Sequence, residues 1–226
     1  MIQAVVSSPL FGIVLCILAF ETGLILQRRL KTPLANPLLI SVALIIVFLK
    51  VSGISYADFN RGGEIVSMLL GPATAVLALS VYNQLAVLKK YFLPILAGCL
   101  AGSVASMGSA WLLCKLFRLE EALTMSLIPK SVTTPIAMGI SEAHGGLVPV
   151  TVAAVIITGI LGAALAPALI KLFRIKEPIA QGVAIGTASH AAGTTKAMEL
   201  GEIQGAMSSI AIGVSGLMTV VLSLFY

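Results

Sequence analysis

Long apolar runs separated by short polar clusters make up almost the whole chain. The runs cover roughly 5–26, 34–51, 64–88, 91–117, 147–171 and 203–225. Each is close to the ~20 residues that a helix needs to cross the hydrocarbon core of a bilayer. Between the second and third lies a polar stretch, SGISYADFNRGGE (52–64), which reads as an exposed loop or a short surface helix. Two further segments, 120–142 and 178–199, are apolar enough to enter a membrane but are broken by polar residues, glycine and proline. The pattern predicts an all-α polytopic membrane protein with about six crossing helices and two broken or re-entrant segments. No soluble domain, long linker or low-complexity tail interrupts it, so 1–226 reads as one integral membrane domain. The opening residues carry no basic cluster ahead of the first run, which reads as a retained helix and not a cleaved signal.

Composition agrees. Of 226 residues, 58% are hydrophobic and 10% charged, where a soluble domain carries about a quarter charged. The net charge of +5 does not point to nucleic acid, because the basic residues sit in short clusters between apolar runs. Under the positive-inside rule, QRRLK (27–31), Lys89–Lys90 and KLFRIK (171–176) are the cytoplasmic candidates. If all three lie inside, the run at 91–117 leads out and the run at 147–171 leads back. Segment 120–142 then enters and leaves from outside, as a re-entrant hairpin or an unwound helix; irregular backbone survives at that depth only where protein or water covers it. Lys115 and Arg118 count against this placement, and Glu120 and Glu121 offset them only weakly. Cys16, Cys99 and Cys114 lie in apolar runs without metal-ligand spacing and read as small buried hydrophobes.

A shift of 56 residues sets KLFRLEE (115–121) on KLFRIKE (171–177), identical at five of seven positions. The same shift sets Ser131, Thr133 and Thr134 on Thr187, Ser189 and His190. The chain therefore divides into N-terminal helices (1–90), one repeat at 91–142, a second at 147–199 and a final helix at 203–226. A unit of one crossing helix plus one re-entrant segment crosses an odd number of times, so two copies are inverted. Inverted repeats whose broken helices meet at the midplane are a recurrent plan of secondary transporters.

The chemistry concentrates in the broken segments. In IPKSVTTPIAMGIS (128–141), Pro129 and Pro135 lack an N–H donor and Ser131, Thr133 and Thr134 add hydroxyls. Lys130 is the first candidate for an anion's counter-charge, because an ionisable group at membrane depth costs at least about 2.5–3.5 kcal/mol; the alternatives are snorkelling or pairing with Glu142. In GTASHAAGTTKAMEL (186–200), Gly186 and Gly193 permit tight backbone, and Thr187, Ser189, Thr194 and Thr195 supply hydroxyls. His190 is either a satisfied structural residue or an anion donor and proton carrier. Lys196 and Glu199 are either helix-turn partners or the exposed end of the segment, with Glu199 a further proton-coupling candidate. No nucleophile elbow, HExxH helix or paired catalytic aspartates is present, so the chain reads as non-enzymatic, with no metal or cofactor.

IPKSVTTPIAMGIS and GTASHAAGTTKAMEL together resemble the signature segments of the LrgB/CidB family, also present in the membrane domain of the plastidal glycolate/glycerate translocator. NPLL, GISY and GILGA are similar to family features as well, so the resemblance spans nearly the whole chain. It implies one of two functions. Plant and some bacterial members are regarded as carriers of small carboxylates such as glycolate, glycerate or pyruvate. Other bacterial members are described as holin-like modulators of murein hydrolase activity and autolysis, acting with LrgA/CidA-type membrane partners. The resemblance further implies a multi-pass protein of the bacterial cytoplasmic membrane. The small size of the bundle suggests a homo-oligomer. The residues expected to bind the carboxylate are Lys130, Ser131, Thr133, Thr134, Pro135, Gly186, Thr187, Ser189, His190, Gly193, Thr194 and Thr195.

Overall fold

All regular structure among the described residues is helical, as bilayer-buried backbone requires, since each helix satisfies its own N–H and C=O groups. The structure is a computed structural model describing residues 5–30, 37–69, 72, 75, 82 and 85–226. It comprises two compact units, Met1–Ala75 and Val76–Tyr226.

The first unit holds α1 (Pro9–Leu30), α2 (Pro37–Ser52) and α3 (Tyr56–Ser67). Small residues let α1 lie close to both neighbours. A Cβ on Gly12 would stand 3.0 Å from Gly62 Cα, and one on Gly23 would stand 3.0 Å from Pro37 Cα. Ser41 Oγ donates to the Ala19 carbonyl across the α1–α2 contact at 3.1 Å. The polar stretch after α2 is the surface helix α3, capped by Ser55, whose Oγ accepts from the Asp58 N–H at 3.1 Å.

The second unit holds α4 (Leu85–Lys90), α5 (Phe92–Leu116), α6 (Glu121–Leu127), α7 (Thr134–Ala143), α8 (Val148–Leu172), α9 (Pro178–Leu200) and α10 (Glu202–Ser223). Helices α1, α5, α8 and α10 are long and apolar enough to cross a membrane. Helix α2 is apolar but has 16 residues, and about half of the third apolar run lies outside the described residues.

The 56-residue period is visible in the backbone. Helix α5 runs from 92 to 116 and α8 from 148 to 172, so both ends shift by 56. Their C-termini also close alike. Arg118 and Arg174 both adopt φ of 53°. Arg118 N–H donates to Lys115 O (3.1 Å) and Leu119 N–H to Cys114 O (2.9 Å); Arg174 N–H donates to Lys171 O (3.2 Å) and Ile175 N–H to Ile170 O (3.0 Å). This is the Schellman closure, with arginine in the left-handed position where glycine is usual and an apolar residue following it. The shared KLFR sequence thus encodes a shared helix stop.

Both broken segments turn back on themselves. Gly182, on the outgoing arm of α9, packs on Gln204 and Met207 of α10, while Gly186 packs on Ser208 and Ala211. That arm therefore runs parallel to α10. On the return arm Thr194 reaches Ser208 (Oγ1···Oγ 2.7 Å) and Met198 packs on Gly205, so the direction is reversed. In a straight helix Gly182 and Met198 would be about 24 Å apart; here both meet the first turns of α10. The reversal occurs at His190 (φ 42°, ψ −139°). The α6–α7 pair does the same. Ser126 of α6 accepts from Leu147 N–H at 2.7 Å, and Ser141 of α7 accepts from Thr151 Oγ1 at 2.7 Å. Two positions about 22 Å apart along a straight helix thus meet one turn of α8. Each stretch of the repeat thus pairs one long apolar helix, α5 or α8, with one helical hairpin that follows its C-terminus.

The core of the second unit forms around Ile95, Cys99, Val183, Met207, Ile210 and Ala211, where α5, α9 and α10 meet. The GCLAG notch of α5 (98–102) receives the outgoing arm of α9. A Cβ on Gly98 would lie 3.1 Å from Val183 Cγ1, and one on Gly102 would lie 2.5 Å from Thr187 Cγ2. All three cysteines are free, with Cys99 and Cys114 buried.

Candidate functional site

The tips of the two hairpins meet a cavity of about 800 Å³. Its walls are one face of α5, from Pro94 and Gly98 to Ser109, and the outgoing arm of α9, from Ile179 to Ala188, with Tyr91 and Glu177 just ahead of the two helices. Lys130 and Ser131, from the tip between α6 and α7, join Thr158 of α8 and Thr187 of α9 in the lining. One end of the groove thus carries Tyr91 and Glu177, next to the basic clusters at 89–90 and 171–176. The hydroxyls and the lysine lie farther along.

Local sequence explains why Lys130 stands at a break. Helix α6 ends at Leu127, and Pro129, fully buried, has no N–H with which to extend it. Two short turns follow, Lys130 N–H to Leu127 O at 3.3 Å and Val132 N–H to Pro129 O at 3.4 Å. Pro135 then sits in the first turn of α7, where a missing N–H costs nothing. Six residues of non-repetitive backbone result, and they present Lys130 and Ser131 to the cavity.

Lys130 Nζ lies 3.5 Å from Ser106 Oγ and 3.4 Å from Ser131 Oγ. The two serine oxygens are 2.7 Å apart. Among the described residues the ion pairs are Arg61–Asp58 and Lys196–Glu199; Lys130 has no carboxylate partner, and Glu142 does not reach it. Lys130 is half-buried, and its hydrogen-bond partners among the described residues are these two neutral hydroxyls.

The second tip is built differently. His190 turns its ring away from the groove to α8, where Nε2 donates to Val155 O at 3.0 Å. The ring fills the notch at Gly159, where a Cβ would stand 2.5 Å from His190 Cε1; Ser189 fills the next notch, at Gly162. Thr194 Oγ1 bonds His190 O at 3.0 Å as well as Ser208. Gly186 packs on α10 and Gly193 on Ile185. Thr195 is exposed and bonds its own helix at Ala191 O, while Glu199 pairs with Lys196 at 2.7 Å. At the first tip, Thr134 and Pro135 are half-buried. Thr133 caps α7 without a side-chain cap bond, and its Oγ1 is buried with no hydrogen-bond partner. Of the twelve residues singled out from sequence, Lys130, Ser131 and Thr187 line the cavity.

A family model described as "LrgB-like family" matches residues 16–226. The chain belongs to the LrgB-like family. Three proteins named "Antiholin-like protein LrgB" are similar over nearly their full length. The one from Bacillus subtilis (strain 168) is 42% identical, covering 94% of this chain and 93% of its own. Those from Bacillus mycoides (strain KBAB4) and Bacillus cereus (strain B4264) are each 40% identical, covering 95% of this chain and 94% of their own. No solved structure matches.

In this LrgB-like chain the cavity also contains residues that sequence reasoning passed over: Ser106, Ser109 and Thr158. The signal was present but faint. Ser103, Ser106 and Ser109 recur every three residues along α5, which places them along one side of a helix, yet a serine among alanines and glycines reads first as close packing.

Proposed function

We propose that this LrgB-like protein carries small monocarboxylates, of the glycolate, glycerate or pyruvate type, across the bacterial cytoplasmic membrane. The observation that supports this most is Lys130: a lysine without a carboxylate partner, among hydroxyls, in a groove between the tips of two inverted hairpins. A half-buried ammonium without an ion partner calls for a counter-ion, and a small carboxylate supplies one that can leave again. The ammonium of Lys130 takes the anion, with the hydrogen-bonded Ser106–Ser131 pair and Thr187 as neighbouring donors. The first turn of α7, where Thr133 has an unpartnered hydroxyl, adds the positive end of a helix dipole. His190 holds the second tip on α8 and is the proposed point at which a proton couples to that tip's movement. Alternating access moves one helix–hairpin unit against the other. No covalent step, metal or cofactor enters this cycle. The test is uptake of labelled pyruvate and glycolate into proteoliposomes, with a pH gradient imposed or collapsed. Saturable uptake supports the reading, and its absence for every small carboxylate tried refutes it.

A second reading is favoured by the name that the relatives carry, "Antiholin-like protein LrgB". Here the chain regulates murein hydrolase activity and autolysis by assembling with itself or with an LrgA/CidA-type partner. That reading predicts leakage of dye or ions from liposomes that depends on oligomer formation and is indifferent to carboxylate. Selective, saturable uptake without leakage counts against it.

A further inference from the structure

Lys130 does not stand alone, and its companion breaks the repeat at the same place. The position 56 residues after Lys130 is Gly186, and the position 56 after Ser106 is Gly162. Neither glycine has room for a side chain. A Cβ on Gly162 would stand 2.6 Å from Ser189 Cβ, and one on Gly186 would stand 2.9 Å from Ala211 Cβ and Ser208 Cα. The second repeat thus fills with its own tip and α10 the space that the first repeat gives to a lysine and a serine. Both departures from the repeat come together in space, at Nζ···Oγ 3.5 Å.

A serine inside a helix commonly bonds its own turn, as Ser126 does at Ala122 O (2.6 Å) and Ser209 at Gly205 O (3.0 Å). Ser106 instead reaches across to Ser131 at 2.7 Å. Either oxygen of this pair can be the donor; with Ser131 O–H donating to Ser106 Oγ, the Ser106 O–H is left to donate elsewhere. Lys130 has three N–H donors, of which two face the serine oxygens. A charged donor and a neutral hydroxyl donor therefore stand side by side, a few ångström apart. This matches an anion with a second oxygen on the carbon next to its carboxylate. Nearby walls are Gly98, Gly102, Ala105 and Ala184, which suit a short apolar remainder. A second carboxylate finds no second cation in the lining, where the other charged residue is Glu177.

We propose that Ser106 is a specificity-determining residue, and that with Lys130 it selects 2-oxo and 2-hydroxy monocarboxylates over unsubstituted monocarboxylates and dicarboxylates. This rests on the reading of Lys130 as the anion's counter-charge. The experiment is competition against labelled pyruvate uptake in proteoliposomes, using lactate, propionate and succinate, for the wild type, Ser106→Ala and Ser106→Thr. Propionate is expected to compete about 10-fold more weakly than lactate in the wild type, the effect of one hydrogen bond. In Ser106→Ala the two converge to within about 2-fold, chiefly through a higher KM for pyruvate, while Ser106→Thr keeps the preference because it keeps the hydroxyl. Saturable uptake with no preference in the wild type, or full preference in Ser106→Ala, overturns this inference and leaves carboxylate transport standing. Absence of wild-type uptake overturns both. Should Ser106→Ala fail to fold by gel filtration, Ser106→Gly, the residue its repeat counterpart carries, replaces it with the same criterion.

Discussion

Replacing Gly159 by alanine tests whether His190 pins the second hairpin tip to α8. The new Cβ would stand 2.5 Å from His190 Cε1, 2.8 Å from Nε2 and 2.9 Å from Ala192 Cβ, where ordinary contact begins near 3.4 Å. The ring must therefore retreat by 3.4 − 2.5 = 0.9 Å, and its 3.0 Å bond to Val155 O stretches or breaks. Overpacking of this kind costs about 1–3 kcal/mol, and a buried donor and acceptor left unpaired cost about 1–3 kcal/mol more. Alanine returns about 1 kcal/mol through helix propensity, for a net loss of about 3 kcal/mol. At about 2–4 °C per kcal/mol for a chain of this length, thermal unfolding in detergent falls by roughly 6–12 °C. Gly108 on α5 is the control, because a Cβ there meets nothing within 4 Å; its alanine variant gains up to about 1 kcal/mol. Equal melting temperatures for Gly159→Ala and Gly108→Ala would refute the pinned tip.

Three other outcomes follow from the hairpins and their ends. Ser126→Ala removes the acceptor of the Leu147 N–H and lowers stability by about 1–3 kcal/mol, read as a lower melting temperature; no change would mean that this bond does not hold the first hairpin. Single cysteines replacing Lys176 and Glu202 in a cysteine-free background are expected to react with an impermeant maleimide from the same side of the membrane, since a hairpin lies between them; reaction from opposite sides would make α9 a crossing helix. His144 places its ring nitrogens 2.8 Å from Ile140 O and 2.9 Å from Ser223 O and its ring 4.9 Å from that of Tyr226. His144→Ala is therefore expected to speed amide exchange in the last turn of α10, and unchanged exchange there would show that the ring does not anchor that helix end.

Much of this architecture is legible in the sequence because it depends on local rules. Apolar length marks α1, α5, α8 and α10, and KLFR marks two helix stops 56 residues apart. Pro129 and Pro135 mark the end of one helix and the start of the next, so the first tip can be located by residue. The second tip is harder to read. A single residue, His190, reverses the backbone, and glycines on both sides of it suit a bend, a kink or close packing equally. Side-chain direction is harder still. Ser189 and His190 sit in the same kind of segment as Lys130 and Ser131, but Gly162 and Gly159 leave notches that draw them toward α8. Period and composition reveal that a segment is broken; the glycines of a neighbouring helix, 27 and more residues away in the chain, decide where its side chains point. Ser106 was obscured for the same reason, since its partner is Ser131, 25 residues on.

Lys130 is the proposed counter-charge for a small carboxylate, and titration calorimetry of purified protein with pyruvate measures that role. At an effective dielectric constant of 20, a unit charge about 4 Å away contributes about 4 kcal/mol, and desolvation removes part of that. Wild-type protein is predicted to bind saturably, and Lys130→Gln to bind at least about 10-fold more weakly while melting at a similar temperature. Equal affinity in the two proteins would contradict the account.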